Sequence, residues 1–289
     1  VTGTPDTAGD DPPVASRPFI SFLSDYGTAD EFVAVCKGVV WRIVPHATVL
    51  DVTHEIRAGD VRAGALALAR AIGYLPDGVH LAVVDPGVGT DRRALALRTD
   101  DGRFFVGPDN GLLSPAVALC GGAVEAVTLE PARWNMADPS PTFAGRDVFA
   151  VAAAALAGGI PLADLGAPVA PELLRPLLLP LPQRGDDGVV HGVVFWVDRF
   201  GNCATNITED DLAEAGIARG DSVVVRVGER RERVPFVTTF ADVPDARPLA
   251  FVDSAGQFAV AVNGGNAALE LDVAEGTVVA VEKARVNLL

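Results

Sequence analysis

From Phe19 onward the chain sets short, almost wholly apolar runs against longer stretches with apolar residues at helical spacing. FISFLS (19–24) reads as a buried strand and is followed by the polar loop DYGTAD; EFVAVCKGVVWRIV (31–44) then carries a near-helical period and stops before Pro45. The cycle repeats with the strand TVLDVT (48–53), the loop HEIRAGD and the helix VRAGALALARAIGYL (61–75), which ends before Pro76. A third strand, VHLAVV (79–84), runs into Asp85. Strand–loop–helix units in this order predict an α/β domain over residues 18–159, with a mostly parallel sheet and helices packed on it.

Residues 160–188, IPLADLGAPVAPELLRPLLLPLPQRGDDG, are proline-rich and hold no sustained period, which reads as a linker. Beyond it the grammar changes. VVHGVVFWVD, SVVVRVG, ERVPFVTTF, PLAFVDS, QFAVAVN and TVVAVEKARV are short β segments separated by Gly, Asp and Asn turns, and only TEDDLAEAG looks helical. Residues 189–289 are therefore expected to form a smaller all-β, barrel-like domain. The first 17 residues, rich in Pro, Gly, Asp and Thr, read as a flexible leader without the pattern of a signal peptide.

With 49% hydrophobic residues in 289, a core is easily supplied. The formal charge of −15 repels phosphate backbones and anionic lipid, so neither nucleic acid nor membrane is an expected partner. Apolar runs are too short or too interrupted by Gly and Pro to span a bilayer, which predicts a soluble protein. Cys36, Cys120 and Cys203 are far apart and odd in number, suggesting buried free thiols in a reducing, cytoplasmic setting and no zinc site.

The candidate polar residues Asp25, Asp30, His54, Asp60, Asp85 and Arg92 all follow the C-terminal ends of predicted strands, where open α/β sheets place ligands. Taken singly, Asp30 and Asp60 are expected to be helix N-caps. The chain lacks a phosphate-binding G-x-x-x-x-G-K-[ST] loop, a G-x-G-x-x-G after the first strand, and a G-x-S-x-G elbow. Its four histidines show no metal-ligand spacing: His46 is expected to be solvated and His80 to be a core residue, and His54 stands nearest the presumed site. What remains is a site rich in Asp, suited to hydroxyl pairs and ammonium groups because an ionised carboxylate accepts several hydrogen bonds at once. VVDPGVGTDRR (83–93) ends a strand in a carboxylate, a tight turn and two guanidiniums, which by itself fits either a surface ion pair or part of a site.

Seven segments occur in order: SFLSDYGTADEFVAVCKG, VLDVTHEIRAGDVRAGA, VHLAVVDPGVGTDRR, FFVGPDNGLLSP, TFAGRDVFA, WVDRFGNCATNI and TTFADV. Together they resemble the S-adenosyl-L-methionine (SAM) hydroxide adenosyltransferases, the adenosine-forming SAM hydrolases related to the fluorinases and chlorinases. The resemblance implies displacement of methionine from ribose C5′ by water or hydroxide, with no cofactor and no metal. It also implies an α/β domain joined to a β-barrel domain, and a homotrimer whose sites are shared between neighbouring subunits. Asp85 and Arg92 match two members of an Asp–Arg–His set that positions the attacking water. A carboxylate at position 85 favours water over halide, leaving a halide-dependent adenosyltransferase as the weaker alternative.

The third member of that set is expected as histidine in T-F-H-G-R-D, but here Ala144 takes its place in TFAGRD. Two readings of Ala144 stand: a branch of the family that works with Asp85 and Arg92 alone, or a deliberately disabled form that binds SAM or adenosine with negligible turnover. The otherwise intact motif favours the second. By the same resemblance Asp25 would hold the ribose hydroxyls, Asp30 would lie near the methionine end, and Gly145 would line the wall near C5′. Asp198 would meet the methionine ammonium, Phe200 and Asn202 would line the nucleoside, and Phe240 would stack on adenine. Ser254, Asn263 and Gly264 would meet the base and amino acid, whereas Ala255 and Val262 stand where the halide enzymes have arginines. Without the motif, Phe200 and Phe240 would read as barrel core.

Overall fold

The computed structural model describes residues 18–131, 140–227 and 230–285; the leader lies outside them. Backbone contacts divide the chain into two compact units between Leu177 and Leu178, inside the proline-rich stretch.

The first unit runs β1 (Phe19–Ser24), α1 (Phe32–Ile43), β2 (Thr48–Thr53), α2 (Val61–Ile72), β3 (Val79–Val83), β4 (Ala94–Thr99), β5 (Phe104–Pro108), α3 (Ser114–Leu119), β6 (Ala123–Leu129), α4 (Ala150–Ala157) and β7 (Gly166–Pro168). Its seven strands lie in the order β2-β1-β3-β5-β4-β6-β7. The joints β2/β1, β1/β3 and β3/β5 are parallel and the other three antiparallel, so five strands point one way and only β4 and β7 point back. The sheet is thus mixed, mostly parallel in direction, with the reversal introduced where β4 turns straight into β5. Strand β3 is buried along its whole length, as expected of a strand covered on both faces. Alternation along β1 assigns the faces. Ile20 and Phe22 join the cluster with α1 and α4, whereas Leu23 faces α2, where Gly64 leaves space for the Leu112, Val84 and Leu23 side chains.

The predicted helices α1 and α2 are found, each slightly shorter than the pattern suggested. Asp60 caps α2 by accepting from Ala63 N–H at 2.9 Å. Asp30 does not cap α1: the helix starts one residue later, behind Glu31, and no side chain bonds its first turn.

The second unit contains β8 (Gln183–Arg184), β9 (Val190–Val197), β10 (Cys203–Thr208), α5 (Glu209–Glu214), β11 (Ser222–Val227), β12 (Arg230–Pro235), β13 (Pro248–Val252), β14 (Gln257–Val262), α6 (Ala267–Leu271) and β15 (Val278–Lys283). The antiparallel order is β12-β11-β15-β9-β10-β14-β13, with β8 beside β9. Its two ends nearly meet, since Phe236 just past β12 bridges Ala250 in β13. A barrel-like sheet follows, filled by Val190, Ile207, Val223, Phe236, Phe258 and Val281 among others. α5 is the expected helix and carries a Thr208–Asp211 capping box. α6 was not foreseen, nor was β10 recognised as a strand. Among the described residues no helix is long and apolar enough to cross a membrane, and all three cysteines are buried and free.

Candidate functional site

Asp85 leaves the buried end of β3, and the following six residues fold back on themselves. Val88 N–H donates to Asp85 O at 3.2 Å, and Thr90 donates through both its N–H and its hydroxyl to Gly87 O. This double turn returns Arg92 to the carboxylate that precedes it. Arg92 Nε donates to Asp85 Oδ1 at 2.9 Å and Nη2 to Oδ2 at 2.5 Å, while Nη1 donates to Arg93 O at 2.8 Å. The guanidinium also lies 5.2 Å from the centroid of the Phe149 ring. The two side chains are only 10% and 7% exposed. A fork-to-fork pair this dry is geometrically fixed in a way that surface ion pairs are not. Of the two readings left open for this stretch, the surface ion pair is therefore excluded.

Asp85 lines a cavity of about 170 Å³ together with Asp25, Tyr26, Phe32, Phe143, Ala144 and Gly145. Asp25 follows β1, the strand beside β3, and its Oδ2 accepts from Gly59 N–H at 2.8 Å, so the loop after the neighbouring strand β2 aims the carboxylate. The Tyr26 ring packs edge-on to Phe143 at 5.9 Å and against Phe32 at 6.0 Å. Burial pushes its phenol well above the usual range, and the nearby Cys36, Asp25 and Asp85 add to the shift. It is therefore a neutral hydroxyl facing a carboxylate-rich cavity.

The opposite wall is the segment TFAGRD. Gly145–Phe149 forms one wide π-turn ahead of α4, a distortion that often accompanies functional sites. Asp147 accepts from Ser140 N–H at 2.9 Å and pairs with Arg146, which holds its carboxyl below the usual range. The wall is close to the Asp85 turn: a Cβ on Gly89 would stand 3.4 Å from Pro141 O. Gly145 is buried, and a Cβ there would collide with Tyr26 Oη. The glycine is required by close approach, not by its backbone angle.

Asp25, Asp85, Ala144 and Gly145 thus share one cavity, with Arg92 directly behind Asp85. Asp30 is exposed and does not line it. His46 is exposed, as expected. His80 is a core residue with only one nitrogen bonded: Nδ1 lies 2.8 Å from Ser21 Oγ, Nε2 has no hydrogen-bond partner, and burial lowers the imidazole to about 4. His54 is 3% exposed and does not reach the cavity surface.

In the second unit Asp198, Phe200 and Asn202 share the turn between β9 and β10. Asp198 Oδ1 accepts from Phe200 N–H at 2.8 Å and Asn202 N–H at 2.9 Å, and Oδ2 from Asn202 Nδ2 at 2.8 Å. Gly201 has φ +84°, and a Cβ there would strike the Asn266 amide, which accounts for the glycine in F-G-N. Phe200 is 73% exposed, so it is not the barrel core that its residue type suggests. The Phe240 ring packs 4.9 Å from Phe251 on a small cluster of its own. Asn263 Nδ2 donates to Val243 O at 2.9 Å, and Gly264 follows with φ +67°. The register of β10, β13 and β14 puts the 198–202 turn and Asn263 at one end of the sheet and exposed Ser254 at the opposite tip. Ala255 is exposed there, while Val262 is buried in the barrel.

Sequence reasoning missed Tyr26, Phe32 and Phe143 as cavity walls, although all three stand inside the quoted motifs. It also missed Asn110, whose Nδ2 donates to Val84 O at 2.8 Å and pins the strand end before Asp85. Arg93 turns the other way from Arg92: it pairs with buried Asp109, which in turn accepts from Arg175 N–H at 2.8 Å. A second cavity of about 370 Å³, lined by Leu95, Leu97, Leu113 and Val117, lies on that side and is largely apolar. Among the described residues no group of three His, Cys, Asp or Glu is placed to hold a metal ion.

Residues 20–166 match the family model for the SAM hydroxide adenosyltransferase N-terminal domain, and residues 192–280 match that for the C-terminal domain. The chain is 50% identical to the (R)-S-adenosyl-L-methionine hydrolase of Salinispora tropica, over 91% of this chain and 97% of that relative. It is 42% identical to the hydrolase of the same name from Thermus thermophilus, covering 89% and 96%. With the fluorinase of an Actinoplanes species the identity is 31%, over 94% and 100%. A crystal structure of an uncharacterized conserved protein from Thermotoga maritima superposes with a TM-score of 0.84 at 38% identity, covering 91% of this chain and 99% of that one. Two consecutive domain matches and relatives aligned along nearly their whole length place the chain in the SAM hydroxide adenosyltransferase family.

Proposed function

We propose that this protein hydrolyses S-adenosyl-L-methionine to adenosine and L-methionine, by in-line attack of water on ribose C5′ and without a metal. The observation that carries the reading is the dry, bidentate Asp85–Arg92 pair at a cavity that also presents the Asp25 carboxylate. A sulfonium is already a good leaving group, so no general acid is needed. The requirement is a water aligned with the C5′–S bond, screened from bulk, with an acceptor in reach. Arg92 engages one direction on each Asp85 oxygen and leaves further lone pairs to accept from a water. Asp25 is suited to the vicinal ribose hydroxyls, and the aromatic wall of Tyr26, Phe32 and Phe143 supplies the dry surroundings. The hydrolase names of the relatives from Salinispora and Thermus support water over halide as the nucleophile.

Ala144 supports a second reading, a SAM- or adenosine-binding protein with negligible turnover. It lines the cavity beside Asp85 and offers no group that can accept, donate or orient a proton. The residues assigned to the nucleoside and methionine are divided between the two units, which supports a homotrimer with sites shared between subunits; a cytoplasmic setting is part of the same reading. Incubation with SAM in EDTA, followed by chromatography, tests the main proposal. Adenosine and methionine are expected in equal amounts. Dependence on a divalent ion rejects the metal-free mechanism, and tight binding without product selects the second reading.

A further inference from the structure

Behind the Asp25 loop runs a line of polar side chains that the proposed chemistry does not use. Lys37 Nζ on α1 donates to Asp51 Oδ2 on β2 at 2.5 Å. His54 Nε2 stands 3.0 Å from Asp51 Oδ1, an ion-pair distance rather than a well-aligned hydrogen bond. On the other side of the ring, Nδ1 lies 2.7 Å from Ser24 Oγ. Ser24 Oγ in turn accepts from Tyr26 N–H at 3.3 Å, and His54 O accepts from Gly27 N–H at 2.7 Å. Ser24 and His54 are 0% and 3% exposed, and the Phe22 ring packs edge-on to the imidazole at 4.7 Å.

The proton inventory gives this line a direction. Partial burial works to raise Asp51, but the Lys37 hydrogen bond and the close His54 imidazole outweigh it and hold the carboxyl below its usual range. An ionised carboxylate only accepts, so Nε2 carries the ring proton. In the neutral ring of that tautomer Nδ1 accepts from the Ser24 hydroxyl, whose oxygen also takes the Tyr26 amide. The order is the reverse of a hydrolytic triad, with serine on Nδ1 and carboxylate on Nε2, and the fully buried Ser24 cannot meet a substrate. The line also stands beside an irregularity in the β1–β2 ladder, whose register slips between Phe22 and Leu23.

We infer that His54 is a positioning residue: through Ser24 and its own carbonyl it fixes the Ser24–Gly27 turn that carries Asp25 and Tyr26, and so sets recognition of the ribose hydroxyls. Gly59 aims the Asp25 carboxylate and His54 anchors its backbone, so neither suffices alone. The inference rests on the proposed role of Asp25.

Calorimetry on the full chain with adenosine and 2′,3′-dideoxyadenosine tests it without requiring turnover. Hydrogen bonds to a charged acceptor are each worth roughly tenfold or more in affinity, so wild type should prefer adenosine by at least about tenfold. His54→Phe fills the space but cannot accept from Ser24. It should cut that preference to within about threefold while leaving dideoxyadenosine affinity nearly unchanged. His54→Asn, which keeps an acceptor near the Nδ1 position, should restore most of the preference. Ser24→Ala, a smaller change in case His54→Phe does not fold, should reproduce the loss. In an Asp25→Asn background, Ser24→Ala should have no further effect on the preference. An undiminished preference in Ser24→Ala, or equal weakening of both nucleosides, overturns the positioning role. A wild-type chain that binds neither nucleoside overturns the reading of the site, and this inference with it.

Discussion

Replacing Arg92 by methionine removes a guanidinium from a carboxylate that has almost no water to turn to. Asp85 is 7% exposed, and both its oxygens are engaged by Arg92. Breaking a buried pair by deleting one partner typically costs about 3–5 kcal/mol, because the other charge is stranded. Asp85→Asn strands the guanidinium charge instead and should cost a similar amount, since Arg92 would keep one amide oxygen, Arg93 O and the face of Phe149 but would meet an NH2 donor where its second carboxylate oxygen stood. Were the two effects independent, the double variant would lose about 6–10 kcal/mol. No uncompensated charge remains when both are changed, so the double variant should lose less than about 4 kcal/mol, leaving a coupling of at least about 2 kcal/mol. Urea unfolding of the four proteins at pH 7, followed by near-ultraviolet circular dichroism, measures each corner of this cycle. Additivity within about 0.5 kcal/mol would show that the pair is solvated and energetically idle. Asp85 would then have no rigid support, and the water-positioning role drawn from its geometry would fail.

Ala144→His should raise kcat for adenosine formation by roughly 10²–10⁴-fold with little change in substrate affinity, because the new ring would face the water and not the ribose. An unchanged kcat, with Asp85→Asn still abolishing turnover, would assign the water to Asp85 alone. Burial holds His80 at about 4 when folded, below the ~6.5 of an unfolded chain. Stability from this group is therefore present above pH 6.5 and lost as pH falls toward 4, by about 3 kcal/mol in total. Urea midpoints measured from pH 7 to 4.5 should fall less steeply for His80→Asn, and parallel curves would contradict this. Light scattering should give a trimer mass; a monomer with full adenosine affinity would remove the shared-site proposal.

The part of the site that was legible in the sequence is the part that is local. Asp85 and Arg92 lie seven residues apart around P-G-V-G, and such a turn has few ways to fold. Seen without its partners, His54 was a polar residue after a strand; what defines it is Ser24, thirty positions earlier. β10 escaped notice for a related reason. CATNIT is buried at five of six positions, yet half of it is polar. Thr205 is satisfied by Phe258 O, and Asn206 by Val193 N–H and Pro180 O, partners that no short window contains. α6 has five residues, too few to display a period, and depends on the Asn266 cap. Asp30 shows the limit of capping signals: a residue of the right type stood one place too early, and the helix began without a side-chain cap.

The close approach of Gly145 to Tyr26 gives neighbouring positions opposite mutational fates. Ala144 lines the cavity itself, so substitutions there act on its shape. At 145 even one methyl group evicts the phenol, and with it the ring that braces Phe32 and Phe143. Directed evolution of this chamber therefore has one adjustable side and one fixed side, and the boundary between them is a single peptide bond.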